Sequence, residues 1–95
     1  MAIVAVFEFP NESVDKYEQV FALGGSPITN QPSRLHHCCY RTGSGFTVVD
    51  VWADEDSFAK FGETLIPVIT QVGLEGSPAI FPVQGIITQD GTRSS

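Results

Sequence analysis

The sequence predicts an α+β fold: a four-stranded antiparallel sheet with two helices on one face, in the order β-α-β-β-α-β. Three observations carry this. Strand-length apolar runs open the chain, close it and flank a Gly-Ser-Gly turn near its middle. Two intervening segments repeat apolar residues at helical spacing. Three of the strands, the first, third and last, are apolar on both sides, unlike a half-wetted sheet. The order is the split-βαβ, ferredoxin-like plan, whose right-handed crossovers put both helices on the same face.

Residues 2–9 form the first strand, an almost continuous apolar run ended by Pro10-Asn11. Ser13 can cap the first helix, with Asp15 in its first turn. Val14, Tyr17, Val20 and Phe21 make its apolar stripe, and Gly24-Gly25 stops it. Residues 26–33, SPITNQPS, read as a loop long enough to act as a lid. Residues 35–41 and 46–52 are the arms of a hairpin, turned by Thr42-Gly-Ser-Gly45. Asp54 caps the second helix, whose stripe is Phe58, Phe61, Leu65, Ile69 and Val72. Pro67 falls inside that stripe, so a break or kink near Ile66 is expected, with a short helix restarting there. Residues 79–88 form the last strand, and 90–95 a frayed tail.

With 95 residues the chain is expected to be one domain, ordered over about 2–89. A net charge of −6 repels phosphate backbones, which argues against nucleic acid as a partner. No apolar run approaches membrane-spanning length. The apolar start lacks a basic flank and meets Glu8 too early for a signal peptide. Adjacent Cys38 and Cys39 sit ~3.8 Å apart at Cα, too close for an ordinary disulfide. Free thiols suit a cytoplasmic protein. Two helices cover only one sheet face, so a second copy is expected to cover the other, as a homodimer packed sheet to sheet.

The stretch Arg34-Leu-His-His-Cys-Cys-Tyr40 suggests a metal site, but a strand sends neighbouring side chains to opposite faces. His36, Cys38 and Tyr40 share one face; Leu35, His37, Cys39 and Arg41 share the other. Four ligands cannot converge from one extended run, so no metal is expected unless the strand bulges, residues arrive from elsewhere, or a dimer axis brings His36 and Cys38 together twice. The hairpin register is more informative. A turn centred on Gly43-Ser44 opposes Arg41 to Phe46, Cys39 to Val48, His37 to Asp50 and Leu35 to Trp52. Opposed side chains are close enough for a His–Asp hydrogen bond, which orients the imidazole as a base. A loop one residue different would set Asp50 against His36 instead. Arg34 and Arg41 are competing partners for the carboxylate.

The segment from Gly45 to Phe58, with Leu65-Ile-Pro67 and the final Phe81-Pro-Val83, resembles the dimeric α/β-barrel superfamily, and within it the small antibiotic-biosynthesis-monooxygenase-like proteins. The resemblance covers nearly the whole chain. It implies a histidine before the hairpin at His37, matched by Asp50 and Trp52, all facing a pocket between sheet and helices together with Cys39. Haem degradation is disfavoured: the first strand lacks the asparagine that pattern needs, and the second helix has no histidine. Gln84-Gly85 stands where short relatives carry His-Asn, leaving Gln84 to orient a polar group.

These readings lead to a small cytoplasmic enzyme that needs no cofactor. It would use His37 and Asp50 to deprotonate an apolar, aromatic or polyketide-like molecule that then reacts with dioxygen. Trp52, Cys39, Tyr17, Phe21, Phe61 and Gln84 are the expected contacts. Cyclisation or isomerisation by the same base is the near alternative. A non-catalytic, ligand-binding dimer is the distant one, expected if Phe21, Phe58, Phe61 and Trp52 fill the pocket.

Overall fold

The computed structural model describes residues 1–94; Ser95, the end of the expected tail, lies outside the described residues. Strand β1 (Ile3–Phe9) leads through a turn at Asn11 into helix α1 (Asp15–Gly24). Asn11 has φ 62°, a left-handed conformation that asparagine tolerates better than most residues. Ser13 does not cap α1 as expected: it sits one residue outside the N-cap, Val14, and its hydroxyl accepts from the Asp15 amide at 3.2 Å. The helix ends at Gly25, φ 63°, whose amide donates back to the Phe21 carbonyl.

The segment expected to be a lid-like loop contains a short helix, α2 (Ser26–Thr29). Its proline sits in the first turn, where a missing N–H costs nothing, and it buries Ile28.

Strands β2 (Arg34–Arg41) and β3 (Phe46–Trp52) form the expected hairpin with the expected register over most of its length. His37 faces Asp50, Cys39 faces Val48 and Arg41 faces Phe46. Gly45 is required at the turn, because a Cβ there would run into the Phe9 carbonyl. One expectation fails at the far end. The register shifts between Arg34 and His36, so Arg34, not Leu35, opposes Trp52. Leu35 is the extra residue of a β-bulge and is left 53% exposed.

Helix α3 (Glu55–Val72) starts at Asp54, whose carboxylate accepts from the Ser57 amide at 2.6 Å and is held below its usual pKa by that bond. Of the break or kink expected near Ile66, the break does not occur. Pro67 lies within one continuous helix, on its exposed side. The carbonyl that loses its partner belongs to Glu63, also exposed, so water can satisfy it while Leu65 and Ile69 keep the flanking turns on the core.

The last strand is shorter than expected: β4 (Ala79–Pro82) pairs with β1 and stops at a proline, which has no N–H for the ladder. Residues assigned to its continuation and to the tail instead make a two-stranded sheet, β5 (Ile86–Ile87) with β6 (Arg93–Ser94). Gly91, φ 86°, supplies the left-handed position of its turn.

The main sheet has the order β2-β3-β1-β4, which is the ferredoxin-like arrangement. Its inner face carries Ile3, Ala5, Phe7 and Phe9 from β1 and Phe46, Val48 and Trp52 from β3, all buried. Val20 of α1 and Phe58 and Phe61 of α3 pack against them. Burying each such large apolar side chain contributes roughly 1.5–3 kcal/mol. The outer face carries Val4, Val6, Val49 and Val51 beside Cys38, with Tyr40 53% and Phe81 54% exposed at its margins. No helix among the described residues is long and apolar enough to cross a membrane.

Candidate active site

His37 comes from an outer strand of the sheet and Asp50 from a central one, directly across the ladder. Period-two alternation points both at the helices, and their side chains meet: Nδ1 of His37 lies 2.5 Å from Oδ1 of Asp50. Asp50 is only 3% exposed, so its second oxygen also needs a donor. The indole Nε1–H of Trp52, two residues along on the same face, donates to Oδ2 at 3.2 Å. The other ring nitrogen is occupied as well. The Tyr17 hydroxyl from α1 sits 2.7 Å from His37 Nε2, with the two rings nearly parallel.

The proton positions follow from this geometry. A carboxylate at Asp50 only accepts, so His37 Nδ1 carries the hydrogen. Nε2 then has its lone pair free and accepts from the Tyr17 hydroxyl. Burial, reinforced by Glu18, Asp50 and, at the alkaline pH where a phenol ionises, the Cys39 thiolate, pushes the Tyr17 phenol up from 10.0 to about 12, and Arg34 opposes that rise. Tyr17 is thus a proton donor across the physiological range. The result is a chain of Tyr17, His37, Asp50 and Trp52 from one helix and two strands, with no buried side-chain polar atom lacking a partner among the described residues.

The imidazole and phenol border a cavity of about 60 Å³ between sheet and helices. Phe7, Phe46, Val48 and Leu74 make its apolar floor and end, and Phe21, Phe61, Leu65 and Ile69 its helical walls. The polar groups that reach it are Tyr17, His37, Asp50 and Arg34. A wider, shallow groove between Gln19, Leu23, Gln71 and Val72 carries no ionisable side chain and does not reach His37.

Of the residues expected at the site, His37, Asp50, Tyr17, Phe21 and Phe61 are brought together around this cavity. Three are not. Trp52 is fully buried at 0% exposure under Phe58 and Phe61, behind Asp50 rather than on the cavity wall. Cys39 packs against the core beside the site, and burial raises its thiol pKa, which keeps it a protonated filler. Gln84 follows the end of β4 and is exposed, because that strand stops too soon to carry it inward. The competing partners for Asp50 do not reach it; its two oxygens go to His37 and Trp52. Arg34 was missed as a site residue, since only the bulge turns it inward. The Trp52–Asp50 bond was legible: a buried indole needs an acceptor, and Asp50 lies two residues back on the same face.

The same architecture recurs in solved structures. SnoaB, a cofactor-independent oxygenase from Streptomyces nogalater, aligns with a TM-score of 0.63 at 20% identity, covering 93% of this chain and 96% of that one. Rv0793 from Mycobacterium tuberculosis aligns with a TM-score of 0.69 at 9% identity, covering 93% of this chain and 100% of that one. A dimeric ferredoxin-like protein of unknown function from Thermobifida fusca gives 0.64 at 16% identity, covering 87% and 92%. No family model and no curated protein matches the chain. These likenesses, together with the strand order, establish that the chain has the ferredoxin-like α+β fold found in SnoaB and Rv0793.

Proposed function

We propose that the chain is a cofactor-independent enzyme that deprotonates an apolar aromatic or polyketide-like substrate and lets the resulting anion react with dioxygen, working as a cytoplasmic homodimer. The observation that carries this reading is the hydrogen-bonded run from Tyr17 through His37 to Asp50 at the edge of an apolar cavity. A C–H or O–H presented to the Tyr17 oxygen can give up its proton while the phenol passes its own to His37 Nε2. The shift is concerted, so no tyrosinate has to form, which matters for a phenol held at about 12. The imidazolium that results is held by Asp50. The electron pair left on the substrate carbon reduces dioxygen to a peroxide bonded to that carbon, which takes the proton back from the imidazolium through Tyr17 to become a hydroperoxide. Loss of water leaves a carbonyl, so one oxygen atom is kept and the other leaves as water. SnoaB, described as a cofactor-independent oxygenase, has the same fold and supports this choice of reaction over cyclisation or isomerisation by the same base.

The cavity is smaller than the ~150 Å³ in which an engineered apolar cavity holds benzene, so a ring-sized substrate enters by displacing the half-buried Phe21, Leu65 and Ile69. Dimerisation is supported by the apolar outer face, with Val6, Val49 and Cys38 adjacent across three strands and Cys38 exposed. The competing reading, a ligand-binding dimer without chemistry, is favoured by two observations: both His37 nitrogens already have partners, and Phe21, Phe61 and their neighbours leave a cavity of only about 60 Å³.

Oxygen consumption with anthrone decides between them. The wild-type protein is expected to consume dioxygen and form anthraquinone, and His37→Ala to lose roughly 10²–10⁴-fold in rate, the usual contribution of a positioned general base. Equal consumption by the two proteins, or none by the wild type, would remove the oxygenase reading.

A further inference from the structure

We propose that Arg34 is an anion subsite of the cavity and that the substrate carries a carboxylate on its aromatic body. This deepens the preceding reading and rests on the cavity's being the substrate pocket. Three observations carry it. First, the bulge at Leu35 exists at the one place where it swaps a leucine for an arginine on the inner face. A regular ladder would point Leu35 at Trp52; the shifted one points Arg34 there and leaves the leucine outside. Bulges beside sites re-aim side chains in this way.

Second, the guanidinium is held but not neutralised. Its Cζ lies 5.8 Å from the centroid of Trp52 and 5.6 Å from that of Phe61, and Nη2 donates to the Thr29 carbonyl at 3.0 Å. Stacking and one backbone bond fix the group's place. They use one of its five N–H donors. No carboxylate of the described residues lies within 4.0 Å of it; the ion pairs formed there are Lys16–Glu12 and His37–Asp50. Asp50 borders the same cavity, yet both its oxygens are committed elsewhere. A planar fork with free donors beside apolar walls fits a carboxylate edge-on.

Third, among the described residues Arg34 is the one lysine or arginine that borders the cavity. The carboxylate of Asp50 is engaged by His37 and Trp52, which leaves the guanidinium charge to a ligand. The proton that His37 takes comes from the substrate, so that transfer leaves the net charge of the filled cavity unchanged. The protein as a whole is at −6 and repels anions, so a local cation is what draws one into this cavity.

The test compares 2-naphthoate with its neutral isostere 2-naphthamide by equilibrium dialysis against wild type, Arg34→Met and Arg34→Lys. Near-ultraviolet circular dichroism of the single tryptophan reports whether each variant keeps the Trp52 environment. Wild type is expected to hold the acid about tenfold or more tighter than the amide, the worth of a charge-assisted hydrogen-bonded contact. Arg34→Met should bring the two within about twofold of one another, with the amide unchanged, and Arg34→Lys should keep part of the preference. Equal affinities in wild type, or a preference that survives in Arg34→Met, would overturn the subsite while leaving the pocket standing. Failure of both probes to bind wild type would overturn the subsite and the pocket reading together.

Discussion

Replacing Asp50 by asparagine probes the chain of hydrogen bonds at the point where charge and geometry separate. The asparagine side chain has the same shape, and it can satisfy every neighbour in one way. Its Oδ1 accepts from Trp52 Nε1–H, and its Nδ2 donates to His37 Nδ1. The imidazole must then carry its proton on Nε2 and donate to the Tyr17 oxygen. Every bond survives with its direction reversed between Asp50 and Tyr17. What is lost is the charged character of two bonds, about 1 kcal/mol each from the difference between neutral and charge-assisted contacts. Relief from burying a carboxylate at 3% exposure offsets part of this. The net stability loss should therefore be about 2 kcal/mol or less. Asp50→Ala differs, because it strands the buried Trp52 Nε1–H and the His37 Nδ1–H together, at about 1–3 kcal/mol each. Urea unfolding should rank the three as wild type, Asp50→Asn, Asp50→Ala in falling stability. Nitrogen NMR of the labelled imidazole should find the proton on Nδ1 in wild type and on Nε2 in Asp50→Asn. Oxygen uptake should fall about as far in Asp50→Asn as in His37→Ala, since the nitrogen that must accept is already protonated. An unchanged tautomer in Asp50→Asn, or Asp50→Ala no less stable than Asp50→Asn, would refute this account of the site.

Two further outcomes follow from the same geometry. Tyr17 has its pKa raised on folding from 10.0 to about 12, chiefly by burial, so its stabilising share is whole below about pH 10 and is lost as pH climbs through about 12. The wild type should thus lose stability across that alkaline window, and Tyr17→Phe should lose less there while giving up about 1 kcal/mol at neutral pH for the missing hydrogen bond. In a Tyr40→Phe background the tyrosinate absorbance reports the Tyr17 titration directly; a midpoint at the ordinary phenol value would contradict the placement of its ring. On the outer face, Val49→Asp puts a charge between Val6 and Cys38. Light scattering should find the 10.3 kDa chain as a dimer in the wild type and as a monomer in this variant; a wild-type monomer at micromolar concentration would end the dimer proposal.

The pairing of His37 with Asp50 was legible in the sequence, because a strand has a two-residue period and a short turn fixes which residues oppose. Those are local constraints, counted along the chain. The fold class was legible for the same reason, since each apolar period names its element and the crossover rule supplies the arrangement. Other features rest on contacts between distant segments. The apolar stripe of α1 turns Tyr17 toward the sheet, but its hydroxyl meets His37 only because the helix packs at one depth and one place along the sheet, which the stripe does not set. Arg34 faces inward only because the ladder slips by one residue, and no rule of alternation foresees a bulge. The last strand, at the sheet edge, stops at Pro82, which has no N–H for the ladder, and α3 runs through Pro67 because packing on both sides outweighs one missing bond. The sequence alone determined which residues could meet along a ribbon; the packing of helices against the sheet decided which of them do, because those positions are set by side-chain fit across the core and not by spacing along the chain.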